Sequence, residues 1–154
     1  MSKLIVHFDG SCEPKNPGGV GTYGWIIDRD GQRVASGSGC NSKGGPGSTN
    51  NVSEYAGLGF ALRWLADHPG TMQPGDTLVL RGDSKLVVEQ LAGRWKCNKE
   101  HLQKLKQRCL ELLVGFGGQW RTEWIPREQN TEADALSQQA YVTATGKPYP
   151  QRRH

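Results

Sequence analysis

Four acidic residues stand where an acid is costly. Asp9 follows the apolar run Leu4-Ile5-Val6-His7-Phe8, and Asp83 follows Thr77-Leu78-Val79-Leu80-Arg81-Gly82, so each puts a charge at the lip of an apolar strand. Glu54 lies one turn before Leu58 and two before Ala61, which at helical spacing aims it toward the buried side. Asp134 follows the loop Pro126-Arg127-Glu128-Gln129-Asn130 and sits in the first turn of the last helix. Carboxylates that converge from element ends repel one another unless a cation sits among them. An all-oxygen set suits hard divalent ions, Mg²⁺ first and Mn²⁺ second. Two such ions about 4 Å apart would activate a water and stabilise the leaving oxygen of a phosphodiester. Each acid also has a purely structural reading. Asn51 to Glu54 and Thr131 to Asp134 fit or nearly fit capping boxes, Asp83 could cap the helix it precedes, and Asp9 could serve a Gly-Ser turn.

The elements that must position these acids follow from periodicity and turn chemistry. Residues 3–9, 20–28 and 32–39 read as strands, the last two joined by a hairpin turn at Arg29-Asp30-Gly31. From Thr49 to Asp67 the pattern is helical, with Tyr55, Leu58, Leu62 and Leu65 on one side and His68-Pro69-Gly70 as its stop. A fourth strand is expected over 76–83, helices over 84–93 and 99–114, a fifth strand within 118–126, and a last helix over 131–143. Three strands, then helices alternating with single strands, suit an α/β fold: an antiparallel meander extended by parallel strands, with helices on its faces. Open sheets of this kind collect ligands at the carboxyl ends of strands, where Asp9 and Asp83 would meet if the first and fourth strands are neighbours.

At 154 residues the chain is one domain by size, expected over 1–144, with a flexible basic tail over 145–154. No run of apolar residues is long enough to span a membrane, and the apolar stretch in MSKLIVHFDG is too short for a secretory signal. Cys12, Cys40, Cys97 and Cys109 lie far apart without a CxxC pair, which suggests reduced thiols and a cytoplasmic protein. The net charge of +4 is unevenly spread: residues 94–108 carry a local +5 and the remainder nets −1. A neutral body with one basic strip points to a polyanionic partner, although a solvated helix face would look the same.

Asp9-Gly10-Ser11-Cys12 followed by Asn16-Pro17-Gly18, then Thr49-Asn50-Asn51 before Glu54, Gly82-Asp83-Ser84, and Asn130 four residues before Asp134 together resemble type 1 ribonuclease H over residues 3–142. The resemblance implies a ribonuclease H-like fold, a five-stranded mixed sheet of order 3-2-1-4-5 flanked by helices. It implies hydrolysis of the RNA strand of an RNA–DNA hybrid with two Mg²⁺ ions (Mn²⁺ as substitute), leaving 5′-phosphate and 3′-hydroxyl ends. Carried over by position, Asp9 would bridge the two ions, Asp134 would hold the one near the attacking water, and Glu54 and Asp83 the one near the leaving oxygen. Gly10, Ser11, Cys12, Asn16, Asn50 and Asn51 match segments along the hybrid minor groove, whose edges and 2′-hydroxyls distinguish RNA from DNA. Thr49 and Asn98 match positions lining a pocket for a DNA-strand phosphate, Asn98 across a one-residue gap. Trp95 matches an aromatic supporting the DNA strand; a core or hinge Trp is its alternative.

In two departures from the commoner pattern the chain resembles an archaeal-like branch of that family. Gly93 to Asn98 joins the middle helices without a longer basic insertion, so grip would rest on Lys96, Lys99 and their helix. The loop before Asp134 has no His, and Arg127 stands there instead, either holding a phosphate or paired with Glu128 or Glu132 on the surface. Of the four histidines only His7 is placed to lie near the acids. Two other readings compete: a DNA-cutting transposase or integrase core of the same superfold, and a hybrid-binding module without catalysis. All four acids being present argues against the second, and the Asn-Pro-Gly and Thr-Asn-Asn segments argue against the first. A freestanding monomer with no obligatory protein partner is expected.

Overall fold

A computed structural model describes residues 1–117 and 119–151. The sheet has the order β3-β2-β1-β4-β5, with β1 at Lys3–Glu13, β2 at Val20–Arg29, β3 at Gln32–Ser42, β4 at Thr77–Gly82 and β5 at Gln119–Trp124. The first three strands run antiparallel, while β4 pairs parallel to both β1 and β5. The β2–β3 turn is tight because Asp30 and Gly31 both take positive φ (48° and 83°), the conformation that matches the twist of a two-residue hairpin.

One expectation needs correction. Asp9 does not end its strand: β1 continues through Gly10-Ser11-Cys12-Glu13, each paired with a residue of β2 from Tyr23 to Val20. What ends near Asp9 is the parallel ladder, at Phe8↔Gly82. Antiparallel pairing carries a polar, glycine-containing segment that has no strand pattern of its own. The lip is therefore real for the β1–β4 pair and absent for the β1–β2 pair.

The helices are α1 (Asn50–Asp67), α2 (Lys85–Leu91), α3 (Glu100–Gly115) and α4 (Thr131–Thr145). Tyr55, Leu58, Leu62 and Leu65 of α1 form the core with Leu4, Val6 and Phe8 of β1, Leu78 and Leu80 of β4, and Leu102, Cys109 and Leu113 of α3. Ala133, Ser137, Ala140 and Tyr141 of α4 are buried as well, and α4 packs on β1, β2 and β3. Beyond α4, Gly146 takes a left-handed φ of 69°, as helix C-terminal glycines do. Tyr149 then turns back, edge-on to Tyr141 at 5.4 Å and within 3.4 Å of Glu13. Residues 152–154 of the expected tail lie outside the described residues. Among the described residues no helix is long and apolar enough to cross a membrane, and all four cysteines are free.

Candidate active site

Asp9 and Asp83 are successors of the last parallel pair, Phe8↔Gly82, so the sheet itself sets them side by side. Two glycines let helices deliver the other acids. A Cβ on Gly10 would collide with the backbone of Ser53 and Glu54, so its absence lets α1 press Glu54 against β1. A Cβ on Gly24 would likewise strike the Ala133 carbonyl, and Asp134 is the next residue. Asp9, Glu54 and Asp83 each offer a carboxylate oxygen within 4.8 Å of the other two. Asp134 joins at the rim, as a hydrogen-bond partner of Asp9 and an acceptor from Gln138 Nε2 at 3.0 Å.

The capping alternatives fall away. Thr49 is the cap of α1, its hydroxyl accepting from Val52 N–H at 3.2 Å, which puts Glu54 in the second turn. Ser84, not Asp83, caps α2. Asn130 stands at the cap position of α4, and its amide instead donates to the Phe8 carbonyl at 2.9 Å. That bond ties the Arg127–Gln129 turn to the strand residue preceding Asp9.

The electrostatics are those of a site short of positive charge. Burial, then the Asp83 charge, then the hydrogen bond with Asp134 hold the Asp9 carboxyl well above its ordinary value. Burial, then Asp9 and Asp83 do the same to Glu54, against the pull of the Gly10 N–H. Asp9 Oδ2 and Glu54 Oε2 are buried without a hydrogen-bond partner. Buried carboxylate oxygens without partners are rare because each forfeits its solvation. An oxygen-only set with two such atoms fits a hard divalent cation, which would supply the missing partner and reverse the pKa shifts.

The expected substrate contacts divide into two groups. Asn16, Asn50 and Thr49 cluster at the surface: Asn16 Nδ2 donates to Asn50 Oδ1 at 2.8 Å, and Asn50 N–H donates to Asn16 Oδ1 at 3.3 Å. Asn51 lies beside them in the first turn of α1. Ser11 and Cys12 instead turn their side chains inward. The Ser11 hydroxyl is 2.9 Å from that of Thr22, which also reaches the Ser137 carbonyl at 3.0 Å. Cys12 Sγ donates to the Lys15 and Ser48 carbonyls. Trp95 is 45% exposed, so the core reading is overturned. Lys96, Asn98 and Lys99 are exposed beside it in the α2–α3 connection. Part of the basic strip is spoken for, since Arg94 forks onto Glu89 at 2.6 and 3.0 Å and Lys104 pairs with Glu100. Lys96 and Lys99 make no ion pair among the described residues. Arg127 is exposed and pairs with neither Glu128 nor Glu132 among the described residues; Glu132 pairs with Arg33 at 2.8 Å. His7 faces a small cavity of about 80 Å³ with Asp28, Asn130 and Glu132, and burial lowers its pKa.

Sequence reasoning missed the hydroxyl cluster of Ser11, Thr22 and Ser137, the Gln138 bond to Asp134, and Trp124, whose indole N–H donates to the Asp83 carbonyl at 3.1 Å. A Ser one turn beyond Asp134 and small polar residues inside strands were the only signals available.

A family model described as reverse transcriptase-like matches residues 7–140. Over 139 residues, 90% of this chain, the chain is 38% identical to the ribonuclease HI of Halobacterium salinarum, and it spans 64% of that protein's length. A crystal structure of RNase H1 from the same archaeon superposes with a TM-score of 0.78 at 37% identity, covering 92% of this chain and 98% of that one. A crystal structure of LC11-RNase H1 in complex with an RNA/DNA hybrid superposes with a TM-score of 0.80 at 27% identity, covering 92% and 98%. With the sheet order, the carboxylate cluster and these likenesses in agreement, the chain belongs to the type 1 ribonuclease H family.

Proposed function

We propose that this chain hydrolyses the RNA strand of RNA–DNA hybrids by metal-dependent attack of water, leaving 5′-phosphate and 3′-hydroxyl ends. The observation that carries the reading is the convergence of Asp9, Glu54 and Asp83 within 4.8 Å, with two buried oxygens lacking any partner. Two Mg²⁺ ions, or Mn²⁺ in their place, would supply activation of water and charge stabilisation at the leaving oxygen. Asp9, Glu54, Asp83 and Asp134 would hold them, Asp134 serving activation of the water and Glu54 and Asp83 the leaving oxygen.

The remaining residues bind and orient. Gln138 holds the Asp134 carboxylate in one rotamer through its amide. Asn16, Thr49, Asn50 and Asn51 offer surface donors and acceptors for nucleotide edges and phosphates, whereas Gly10, Ser11 and Cys12 contribute through the main chain because their side chains are inside or absent. Lys96, Lys99 and exposed Trp95, with Asn98 between them, take the DNA strand by charge and by ring contact. Arg127 holds the scissile or newly formed phosphate by charge-assisted hydrogen bonds; its guanidinium stays protonated and cannot serve as a base. The four acids come from one chain, which suits action as a monomer, and the four free cysteines suit a reducing cytoplasm.

End-labelled hybrid incubated with Mg²⁺, with and without EDTA, tests the reading against DNA and RNA duplexes. Metal-dependent cleavage confined to the RNA strand of the hybrid is expected. Equal cutting of a DNA duplex would sink it.

A further inference from the structure

Asp83 is a single residue between the last rung of β4 and the Ser84 cap of α2. The main-chain ladder reaches Gly82, whose carbonyl accepts from Ile125 N–H at 3.0 Å, and stops there. The next carbonyl, that of Asp83, accepts from the Trp124 indole N–H at 3.1 Å. The side chain thus supplies the rung that the backbone of β5 no longer provides. Trp124 is 48% exposed at the end of a six-residue strand. Lys85 Nζ lies over that ring, 5.9 Å from its centroid.

We propose that Trp124 is a positioning residue: its indole N–H locks the Asp83 main chain and so keeps the Asp83 carboxylate in the cluster against the repulsion of Asp9 and Glu54. The proposal rests on the metal-dependent reading above for its consequence in catalysis, and on the hydrogen bond alone for its consequence in dynamics. Groups that orient ligands in this way commonly change metal affinity or activity by about 10–100-fold when removed.

Trp124→Phe keeps a ring and deletes the donor. In that variant the Mg²⁺ concentration for half-maximal thermal stabilisation should rise about tenfold. Cleavage should fall at limiting Mg²⁺, recover at saturating Mg²⁺, and leave KM for the hybrid unchanged. In metal-free protein, hydrogen exchange at the Val87 and Ile125 amides, which flank the junction, should quicken. Unchanged exchange in Trp124→Phe overturns the proposal. So does an unmoved Mg²⁺ midpoint when the wild type responds to the ion. Quickened exchange in a protein whose wild type shows no Mg²⁺ response would overturn the metal reading and leave the positioning role standing.

Discussion

The two ends of the β1–β4 pair both bury carboxylates, and treat them in opposite ways. At the amino end, Asp76 is 2% exposed and fully answered. The Gln73 and Ser2 N–H groups donate to it at 2.8 Å each, and the Arg29 guanidinium reaches it at 2.6 Å. These bonds, the two backbone donors first, hold its pKa down at about 2. At the carboxyl end, Asp9 is 3% and Glu54 4% exposed, yet no cationic side chain pairs with either among the described residues, and both pKa values are driven upward. Similar exposure with opposite shifts shows that burial raises a carboxyl's pKa only where hydrogen-bond donors and a cation do not outweigh it. One end is a finished structural clasp. The other has the donor set of a cation site.

Removing an acid at the carboxyl end should have the largest effect. Asp9→Asn and Asp83→Asn should abolish cleavage of labelled hybrid while anisotropy still reports hybrid binding in Mg²⁺ or Ca²⁺. In metal-free protein their melting temperatures should equal or exceed that of the wild type, since repulsion is relieved. Near-wild-type turnover in Asp83→Asn would make the two ends equivalent in function.

The clasp should answer in the other direction. Asp76→Asn should lower the melting temperature with or without metal and leave kcat of the folded fraction unchanged. The pH dependences carry opposite signs. The folded pKa of Asp76 lies below the unfolded value of about 3.9, so its contribution is present above that value and is lost as pH falls toward about 2. Asp9 and Glu54 have raised folded values, so their ionisation destabilises the metal-free protein at neutral pH, and that cost vanishes as pH falls toward the ordinary carboxylate range. Melting curves from pH 7 to pH 2 should show the Asp76→Asn deficit closing only below about pH 4, and the Asp9→Asn advantage closing above it. A deficit that persists unchanged to pH 2 would remove the charge from the clasp.

Arg127 sharpens the contrast, being the cation before Asp134 as Arg29 is the cation beside Asp76. If it serves phosphate, Arg127→Ala should lower kcat roughly tenfold with less effect on KM, and Arg127→Lys should recover only part, the planar fork being lost. If it were a second Arg29, the alanine variant would instead lose metal-free stability with kcat untouched. The smallest effect belongs to the exposed strip: neutralising Lys96 and Lys99 together should reduce the salt slope of binding by roughly two phosphate contacts and leave hybrid-over-duplex preference alone. An unchanged slope would move the grip elsewhere.

Much of this is legible in the sequence. The order of the elements, the helical face of Tyr55, Leu58, Leu62 and Leu65, the Asp30-Gly31 turn and the four acids all follow from period, turn chemistry and residue type, which are properties of neighbours along the chain. The length of β1 is not, because Gly10-Ser11-Cys12 has no apolar alternation and is held extended by β2. Nor are the caps at Thr49 and Ser84, where several polar residues in a row could each have served.

What the sequence by itself determined is which side chains are available for chemistry and on which kind of element each rides. Tertiary structure alone decided how they meet. The parallel register that sets Asp9 beside Asp83, the helix approaches permitted at Gly10 and Gly24, the inward turn of Ser11, and the indole rung from Trp124 all join residues far apart in the chain. The same is true of Arg29 and Asp76, whose pairing makes one buried carboxylate a clasp, while no cationic side chain pairs with Asp9 or Glu54 among the described residues. Local propensity carries no information about such distant partners. A carboxylate's charge state depends on the partners that folding brings to it, so the division between clasp and site emerges only when the sheet closes.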